Sequence, residues 1–370
     1  MISIKNSKGN VDRVFLSIVV VLIAAGFFIF ISSSLGLLAR DGARLGAIAF
    51  NQLVFGVLVG AGLCFGAAKI QYRSWRRYSL FIFLGSLIFT SLVFVPGLGL
   101  EHGGAKRWIN IGFTTIQPAE LLKIAFIIYF ATWLGGARSR LAEIKYGLLP
   151  LFIFLSIIGG ILLLQPDTDT FLVIVVSALA MFITAGGKWR DVIILTFIGL
   201  IALAALAFFR PYIGERISIF LNPALDPLGA GYQIQQSLIA IGSGGLTGRG
   251  FGQSIQKFNY LPEPVGDSIF AVAAEEFGFM GSVLLIAIFV AFAIRGFHIA
   301  ARAPDAFGAS LTVGLVVIIT TAAFMNIASM LGLIPLSGLP LPFVSHGGTA
   351  LLTTLFASGI ILSVSRKKQA

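Results

Sequence analysis

Long apolar runs, separated by short polar segments, recur from one end of the chain to the other. A helix that crosses the hydrocarbon core of a bilayer needs about 20 predominantly apolar residues. Ten runs approach or exceed that length, at about residues 14–38, 45–68, 78–95, 116–134, 146–164, 169–186, 191–209, 268–294, 307–331 and 346–365. The pattern predicts an all-α polytopic membrane protein with about ten transmembrane helices, folded as one domain over residues 1–370.

Two of the polar connections between the predicted helices are long. The first covers about residues 96–115, and the second covers about 210–267 without any run long enough to span. A loop of the second size is seldom structureless in a compact protein, so we expect a folded functional element between helices 7 and 8. Within it, the segment GYQIQQSLIAIGSGG predicts a short interfacial or re-entrant amphipathic helix with glycines on either side.

The composition excludes a water-soluble globule. Hydrophobic residues make up 57 % of the chain, charged residues only 11 %, and the mean hydropathy is +0.98. Such a chain has too little polar surface to cover a soluble protein. The composition therefore supports an integral membrane protein with no separate soluble domain.

The net charge of +11 is explained by membrane topology, without nucleic acid as a partner. An even number of helices places both termini on one side of the membrane. Seventeen of the 26 lysines and arginines then fall on that side, eight fall on the other, and one lies within a helix. Because basic loops stay in the cytoplasm, we expect cytoplasmic tails at 1–13 and 366–370 and an extracytoplasmic loop at 210–267.

Several common kinds of site are missing from the sequence. The single cysteine, Cys64, excludes an intrachain disulfide. His102, His298 and His346 are too scattered for a metal-ligand motif, and the sequence contains no Walker motif or nucleophile elbow. The residues alone therefore leave the identity of any metal unknown.

Two opposite charges interrupt the fourth apolar run. Glu120 and Lys123 stand three residues apart near its outer end, a spacing that lets them pair with each other or with groups across the bundle. Ionisable residues inside a membrane are costly, so this pair is a candidate functional site. The alternative is a structural ion pair that fixes the helix register.

Basic residues on the outer side go against the topology rule and are therefore informative. Arg107 lies in the first long loop between Lys106 and Trp108, whose indole suits the headgroup layer. Arginine binds phosphate in a bidentate manner, so Arg107 is a candidate contact for a pyrophosphate on the outer face. Snorkelling towards lipid phosphates explains the same residue equally well.

The stretch from Arg249 to Gly281 is rich in charge for this chain. It contains Arg249, Lys257, Glu263, Asp267, Glu275 and Glu276. Asp267 falls at the start of the eighth helix, where a helix N-cap explains an aspartate without any catalysis. Glu275 and Glu276 point about 100° apart on that helix, so we expect one to make a structural contact and the other to face the cavity.

Several segments together resemble the SEDS family, the FtsW/RodA/SpoVE membrane glycosyltransferases that polymerise peptidoglycan glycan strands. The resemblance covers nearly the whole chain, and it rests on GGAKRWINIGFTTIQPAELLK, QPDTDT, FLNP, the long stretch from GYQIQQSLIAIGSGG to EEFGFMG, and LPLPFVSHGGTALL. The combination of YQIQQSLIAIGSGG with QKFNYLPE is more similar to FtsW, the division member, than to RodA, the elongation member. In two departures, Val265 and Gly266 replace the His-Thr common in relatives, and His346 replaces a tyrosine.

The resemblance implies a SEDS fold and assigns roles to the charged candidates. The family's catalytic aspartate falls on Asp267, which would act as the base of an inverting displacement. The departing diphosphate needs positive charge, and the basic candidates for it are Arg107, Lys123, Arg249 and Lys257. The family's outer-loop arginine falls on Arg107, and its fourth-helix acid and lysine fall on Glu120 and Lys123. Lys257, Glu263 and Glu276 either contact the substrate or only hold the loop in place.

The implied reaction transfers a disaccharide-peptide from lipid II, a polyprenyl diphosphate donor, to the 4-hydroxyl of an acceptor N-acetylglucosamine with inversion. The implied setting is a bacterial cell membrane, with a class B penicillin-binding protein transpeptidase as partner in a divisome or elongasome. A divalent cation, Mg²⁺ or Mn²⁺, could assist, and no organic cofactor is expected. A lipid II flippase or transporter is an alternative, because buried charges also suit an ion-coupled path; a non-catalytic divisome scaffold is another.

Overall fold

The structure, a computed structural model, describes residues 10–40, 46, 48–102, 105–112, 114–209 and 211–366. Its helices, in chain order, are α1 (Arg13–Arg40), α2 (Ile48–Lys69), α3 (Arg73–Ser91), α4 (Pro118–Ala137), α5 (Leu148–Leu164), α6 (Thr168–Thr184), α7 (Trp189–Phe209), α8 (Pro211–Leu221), α9 (Ala230–Ser243), α10 (Ile269–Ala301), α11 (Ala306–Met330) and α12 (Gly348–Ser365). Among the described residues, eight helices are long and apolar enough to cross a membrane, and α5 and α6 are shorter apolar helices. The polytopic all-α prediction is confirmed.

Each of the ten predicted helices has its counterpart, and the differences lie at the ends. Helix α3 begins at Arg73 instead of 78, and α10 continues to Ala301 instead of 294. Hydropathy marks only the part of a helix that suits lipid, whereas backbone hydrogen bonds continue into the polar turns beyond it. The predicted start of the second helix at 45, residues 1–9 of the N-terminal tail and residues 367–370 of the C-terminal tail lie outside the described residues.

Helix α11 lies at the centre of the bundle, packed against α4, α6 and α10. It is apolar nearly all round and buries side chains on every face, as expected for a helix surrounded by other helices. Helices α2 and α7 are mostly unburied. The exposed apolar side chains of α2 and α7 are therefore suited to contact lipid. Helix α11 forms the core against which the other central helices pack.

The first long loop forms a small antiparallel sheet that was not predicted. Its strands are β1 (Gly99–His102), β2 (Ala105–Asn110) and β3 (Thr115–Ile116), with β2 in the middle. In register, Gly99 faces Ile109 and Asn110 faces Thr115. The sheet holds Arg107 on its central strand, and β3 leads directly into α4.

Contacts between distant residues define the two ends of the bundle. At one end, the backbone N–H of Asp12 donates to Ser365 Oγ at 3.0 Å, and Arg295 pairs with Asp12 at 2.7 Å. At the other end, Thr349 Oγ1 donates to the Thr115 carbonyl at 3.3 Å. Both described termini therefore lie at the same end, as an even number of crossings requires.

The second long loop is folded, as expected. It contains α8 and α9, the second of which is the predicted amphipathic helix, and then packs against the start of α10. Helix α10 is broken at Gly278, whose φ is 64° and ψ is −163°. The N–H groups of Arg249 and Gly250 donate to the carbonyls of Glu275 and Glu276, both at 3.0 Å. The loop thus satisfies carbonyls freed by the break, and the first part of α10 packs as part of this loop.

Candidate active site

The backbone that carries Asp267 is fixed by three successive carbonyl groups. The Val265 carbonyl accepts from the N–H of His346 at 2.7 Å, and the Gly266 carbonyl accepts from Ser345 Oγ at 2.8 Å. The Asp267 carbonyl accepts from Asn326 Nδ2, also at 2.8 Å. The donors come from α11 and from the segment before α12, so the centre of the bundle sets the position of Asp267.

The N-cap explanation for Asp267 is wrong. Helix α10 begins at Ile269, its N-cap residue is Ser268, and no side chain makes a capping hydrogen bond there. The Ser268 hydroxyl instead accepts from Gln233 Nε2 of α9 at 3.0 Å. The partly exposed Asp267 carboxyl is therefore not used to stabilise the helix terminus.

Arg107 and Asp267 flank the same backbone position, Gly338. A Cβ atom built on Gly338 would lie 3.7 Å from Asp267 Oδ2 and 3.9 Å from Arg107 Nη1. The Arg107 guanidinium donates to the carbonyls of Gln165, at 3.3 Å, and Pro166. Those bonds hold its charge in place without neutralising it, since no ion pair of Arg107 occurs among the described residues.

Two aspartates at the start of α6 lie at the same end of the bundle as Asp267, and neither was chosen from the sequence. Asp167 caps α6 by accepting from the Thr170 N–H at 3.3 Å. Asp169 Oδ2 accepts from Arg216 Nη1 of α8 at 2.9 Å and from the Gly338 N–H at 3.2 Å. Arg216 meets the criterion that selected Arg107, since it is a basic residue on the side predicted to be outside. Asp167 and Asp169 belong to the acidic segment QPDTDT, which is part of the family resemblance.

The electrostatic surroundings raise the pKa of the Asp267 carboxyl to about 7. Desolvation of this half-buried carboxyl is the largest cause of the raised pKa, because it penalises the charged form, and the negative charges of Glu263 and Asp169 act in the same direction. The positive charges of Arg107 and Arg216 oppose the increase. A carboxyl with such a pKa exchanges its proton near neutral pH, which suits a general base.

Glu120 and Lys123 form the predicted pair inside the bundle. Lys123 Nζ donates to Glu120 Oε1 at 2.7 Å, and Thr353 Oγ1 of α12 donates to Glu120 Oε2 at 3.0 Å. Glu120 is 4 % exposed and Lys123 12 %. Gln117, which precedes α4, reaches Asp167 Oδ2 at 3.5 Å, so the pair lies just below the aspartates of α6.

Lys257 and Glu276 lie in a different, fully buried cluster. Lys257 Nζ donates to Glu276 Oε1 at 2.6 Å and to Ser32 Oγ of α1 at 3.0 Å. The Glu276 side chain leaves α10 roughly 10 Å along the helix from its start. The structure thus separates this pair from Asp267, and the pair joins the second long loop to α1.

Glu275 is also buried, and Arg249, whose side chain is 38 % exposed, approaches it. Glu275 accepts from Ser254 Oγ at 2.6 Å and from the Ile255 N–H at 3.0 Å, and Arg249 Nε lies 3.4 Å from Glu275 Oε1. Both glutamates are buried and hydrogen-bonded, so the expectation that one faces a cavity is wrong. Glu263, in contrast, is exposed and lies beside Gly266.

A divalent cation has no prepared site among the described residues. No group of three or more His, Cys, Asp or Glu side chains there has an arrangement that could hold a metal ion. The described residues therefore do not fit a protein-held cation.

The chain is similar to known proteins over nearly its full length. The family described as cell cycle protein FtsW/RodA/SpoVE matches residues 12–370. Stage V sporulation protein E of Bacillus subtilis is 39 % identical over 316 residues, covering 85 % of this chain and 86 % of that protein. A probable peptidoglycan glycosyltransferase FtsW of Geobacter sulfurreducens is 39 % identical over 310 residues, covering 84 % and 83 %.

Solved structures agree with the sequence comparisons. A chain from a study described as structural coordination of polymerization and crosslinking by a peptidoglycan synthase complex superposes with a TM-score of 0.79 at 28 % identity, covering 97 % of this chain and 98 % of that one. The rod shape determining protein RodA of Thermus thermophilus gives a TM-score of 0.70 at 26 % identity, with the same coverage. Together with the helical bundle and the acids at one end of it, these similarities show that the chain belongs to the FtsW/RodA/SpoVE family, also called SEDS.

Proposed function

We propose that this protein is a peptidoglycan glycosyltransferase that polymerises lipid II into glycan strands with inversion, using Asp267 as general base. The observation that carries the proposal is the position of Asp267, a partly exposed carboxyl with a pKa of about 7, fixed across Gly338 from Arg107. Membership of the FtsW/RodA/SpoVE family supports the reaction class.

The proposed step is a single displacement at the anomeric carbon of the donor. Asp267 accepts the proton of the acceptor 4-hydroxyl as that oxygen forms a bond to C1 of the donor sugar. The bond from C1 to the diphosphate oxygen breaks, and the polyprenyl diphosphate leaves with the bonding electron pair. A positioned base contributes on the order of 10²–10⁴ in rate to such a reaction.

Arg107 and Lys123 are the proposed positive charges for the departing diphosphate. The Arg107 guanidinium is held by backbone carbonyls and keeps its full charge beside Asp267, so it can stabilise an anion that develops there. Lys123 lies deeper, paired with Glu120. The buried Lys257 and Glu276, joined to Glu275 and Arg249, are proposed to fix the outer loop, while exposed Glu263 stays a candidate for substrate contact.

We also propose an orientation in the membrane and a partner protein. The excess of basic residues at the end that holds both termini supports cytoplasmic tails and an extracytoplasmic active site. A similar structure comes from a complex in which polymerization and crosslinking are coordinated, which supports a class B penicillin-binding protein as partner in division or elongation. Lipid II would reach the site through apolar surfaces between the helices.

A polymerisation assay tests the proposal. Purified protein, alone and with its class B penicillin-binding protein blocked by penicillin, is supplied with lipid II in detergent, and glycan ladders are separated on gels. We expect ladders from the wild-type protein and at least a hundredfold loss in Asp267→Asn. Glu215→Gln, which removes an exposed carboxylate from α8, is the matched control and should retain activity.

Two other outcomes would overturn parts of the proposal. A flippase or a scaffold makes no ladder with substrate that is already accessible, so the absence of ladders from the wild type would favour those alternatives. Near-normal ladders from Asp267→Asn would keep the enzyme and exclude Asp267 as its base.

A further inference from the structure

Asp169 and Arg216 form an ion pair directly behind the proposed base. Both contacts of Asp169 use the same oxygen: Oδ2 accepts from Arg216 Nη1 at 2.9 Å and from the Gly338 N–H at 3.2 Å. The side chains are 14 % and 30 % exposed, respectively. The pair joins the first turn of α6 to α8, an outer-loop helix 47 residues away in sequence.

Gly338 connects this pair to Asp267. Its N–H points to Asp169, while the side on which a Cβ would stand faces Asp267 Oδ2 and Arg107 Nη1. Only one residue of backbone therefore separates the ion pair from the base. Gly338 is itself exposed, so this backbone forms a wall of the open site.

We propose that Asp169 and Arg216 are positioning residues for Asp267, which hold the Gly338 backbone against the base and act on it with opposite charges. The inference rests on the proposed function, since it assumes that Asp267 is the base. Neither residue needs to touch the substrate. The pair would set both the shape of the wall and the pH at which the base becomes active.

The charges around Asp267 support this role. The residues whose charges act on it come from four elements: Glu263 from the preceding loop, Asp169 from α6, Arg107 from β2 and Arg216 from α8. Asp169 raises the pKa of Asp267 and Arg216 lowers it. Asn326 of α11, Ser345 and the backbone N–H of His346 bind the backbone of the loop, and His346 is the titratable residue of the segment before α12.

Opposite charges predict opposite effects when each is removed. Asp169→Asn keeps an oxygen that can accept from Gly338 but removes a negative charge, so the proton on Asp267 should be lost at lower pH. Arg216→Gln removes a positive charge, so the proton should be lost at higher pH. The double variant should return close to wild type because the two changes cancel.

The test is the pH dependence of kcat/KM for polymerisation of lipid II, measured on the full-length protein with its penicillin-binding protein. We expect the acidic limb to move down by about 0.5–1 pH unit in Asp169→Asn and up by a similar amount in Arg216→Gln. The charge-preserving variants Asp169→Glu and Arg216→Lys should keep the wild-type limb even where kcat falls.

If the acidic limb of the kcat/KM profile stays in place in both single variants, or moves in the same direction in both, the proposal is overturned and the pair has a purely structural role. If Asp169→Asn fails to fold, the limb of Arg216→Gln decides alone. Failure here is distinguishable from failure of the proposed function: an active Asp267→Asn refutes the base, whereas an inactive Asp267→Asn with unmoved limbs refutes only the role of the pair.

Discussion

Asp267 differs from the other outer-loop acids because its backbone is fixed while its carboxyl lies among charges of both signs. Three consecutive carbonyls of its loop accept hydrogen bonds from groups near α11 and α12. Glu275 and Glu276, only a few turns away, are instead saturated with donors. The local hydrogen-bond partners therefore distinguish Asp267, which can accept a proton, from Glu275 and Glu276, which hold the structure together.

The raised pKa of Asp267 predicts an effect on stability as well as on rate. Its folded value of about 7 lies above the ordinary value of 3.8, so the folded protein binds the proton more tightly than the unfolded chain. Stability from this group is then greatest below about pH 4 and is lost as the pH rises to about 7. Asp267→Asn should therefore unfold at a higher temperature than wild type at pH 8, with the difference vanishing towards pH 4.

Thermal unfolding of the detergent-solubilised protein across that pH range provides the measurement. Glu215→Gln is again the control, and it should show no pH-dependent gain relative to wild type. Equal unfolding temperatures for wild type and Asp267→Asn at pH 8 would contradict the raised pKa.

Gly338→Ala tests the space between Asp267 and Arg107. The added Cβ would make ordinary contacts at 3.7 and 3.9 Å, so the free energy of unfolding should change by less than about 1 kcal/mol. Polymerisation should fall at least tenfold, because the methyl group enters the room needed by the reacting groups. Gly62→Ala, which adds a methyl group where nothing lies within 4 Å, should keep normal activity; equal activity in both variants would show that the substrate does not use this space.

Helix α4 and the second long loop each hold a buried ion pair between a glutamate and a lysine, but the two pairs form differently. Helix α4 buries Glu120 and Lys123 three residues apart, so the pair is formed within one helix. The buried Lys257–Glu276 pair instead joins an irregular loop segment to α10 and reaches Ser32 on α1. The first arrangement depends on local spacing, whereas the second depends on how the loop packs.

A double-mutant cycle on α4 separates a structural from a functional role for its ion pair. Lys123→Met alone should cost about 3–5 kcal/mol of stability, since it leaves the Glu120 carboxylate buried without its partner. Adding Glu120→Gln should recover most of that stability. If Lys123 stabilises the departing diphosphate, polymerisation will stay low in the double variant; recovery of both properties together would show that the pair serves packing only.

At the scale of the whole molecule, the contacts that define the two ends agree with the charge distribution. Asp12, Arg295 and Ser365 meet at the end with more basic residues, and the sheet, α8 and the proposed site lie at the other. An active site at that end would build glycan outside the cytoplasm.

Cysteine labelling checks this orientation. In a Cys64→Ala background, Leu228→Cys in the outer loop, where Leu228 is 92 % exposed, should react in intact cells with a maleimide that cannot cross the membrane. Ile144→Cys, at an exposed position in the connection between α4 and α5, should react only after the membrane is permeabilised. The reverse labelling pattern would invert the proposed topology.

The ten helices can be located from the amino-acid sequence, because a chain in lipid must satisfy its backbone polar groups within each helix and cover them with apolar side chains over a fixed length. The sequence also located the charged stretch around Asp267, since charge is rare elsewhere. It did not reveal the sheet, whose strands of two to six residues are defined by pairing with each other.

Which charged residues share a site depends on how the helices and loops pack. Lys257 and Arg249 were candidates by proximity in sequence to Asp267, yet the fold pairs them with Glu276 and Glu275, respectively. Asp169, Arg216 and Gly338 were not chosen, because they come from three separated segments and meet only when α6, α8 and the α11–α12 connection pack together. Hydrophobic patterning acts over one turn or one span, whereas a polar site depends on hydrogen bonds between residues far apart in the chain, and those exist only once the bundle is assembled.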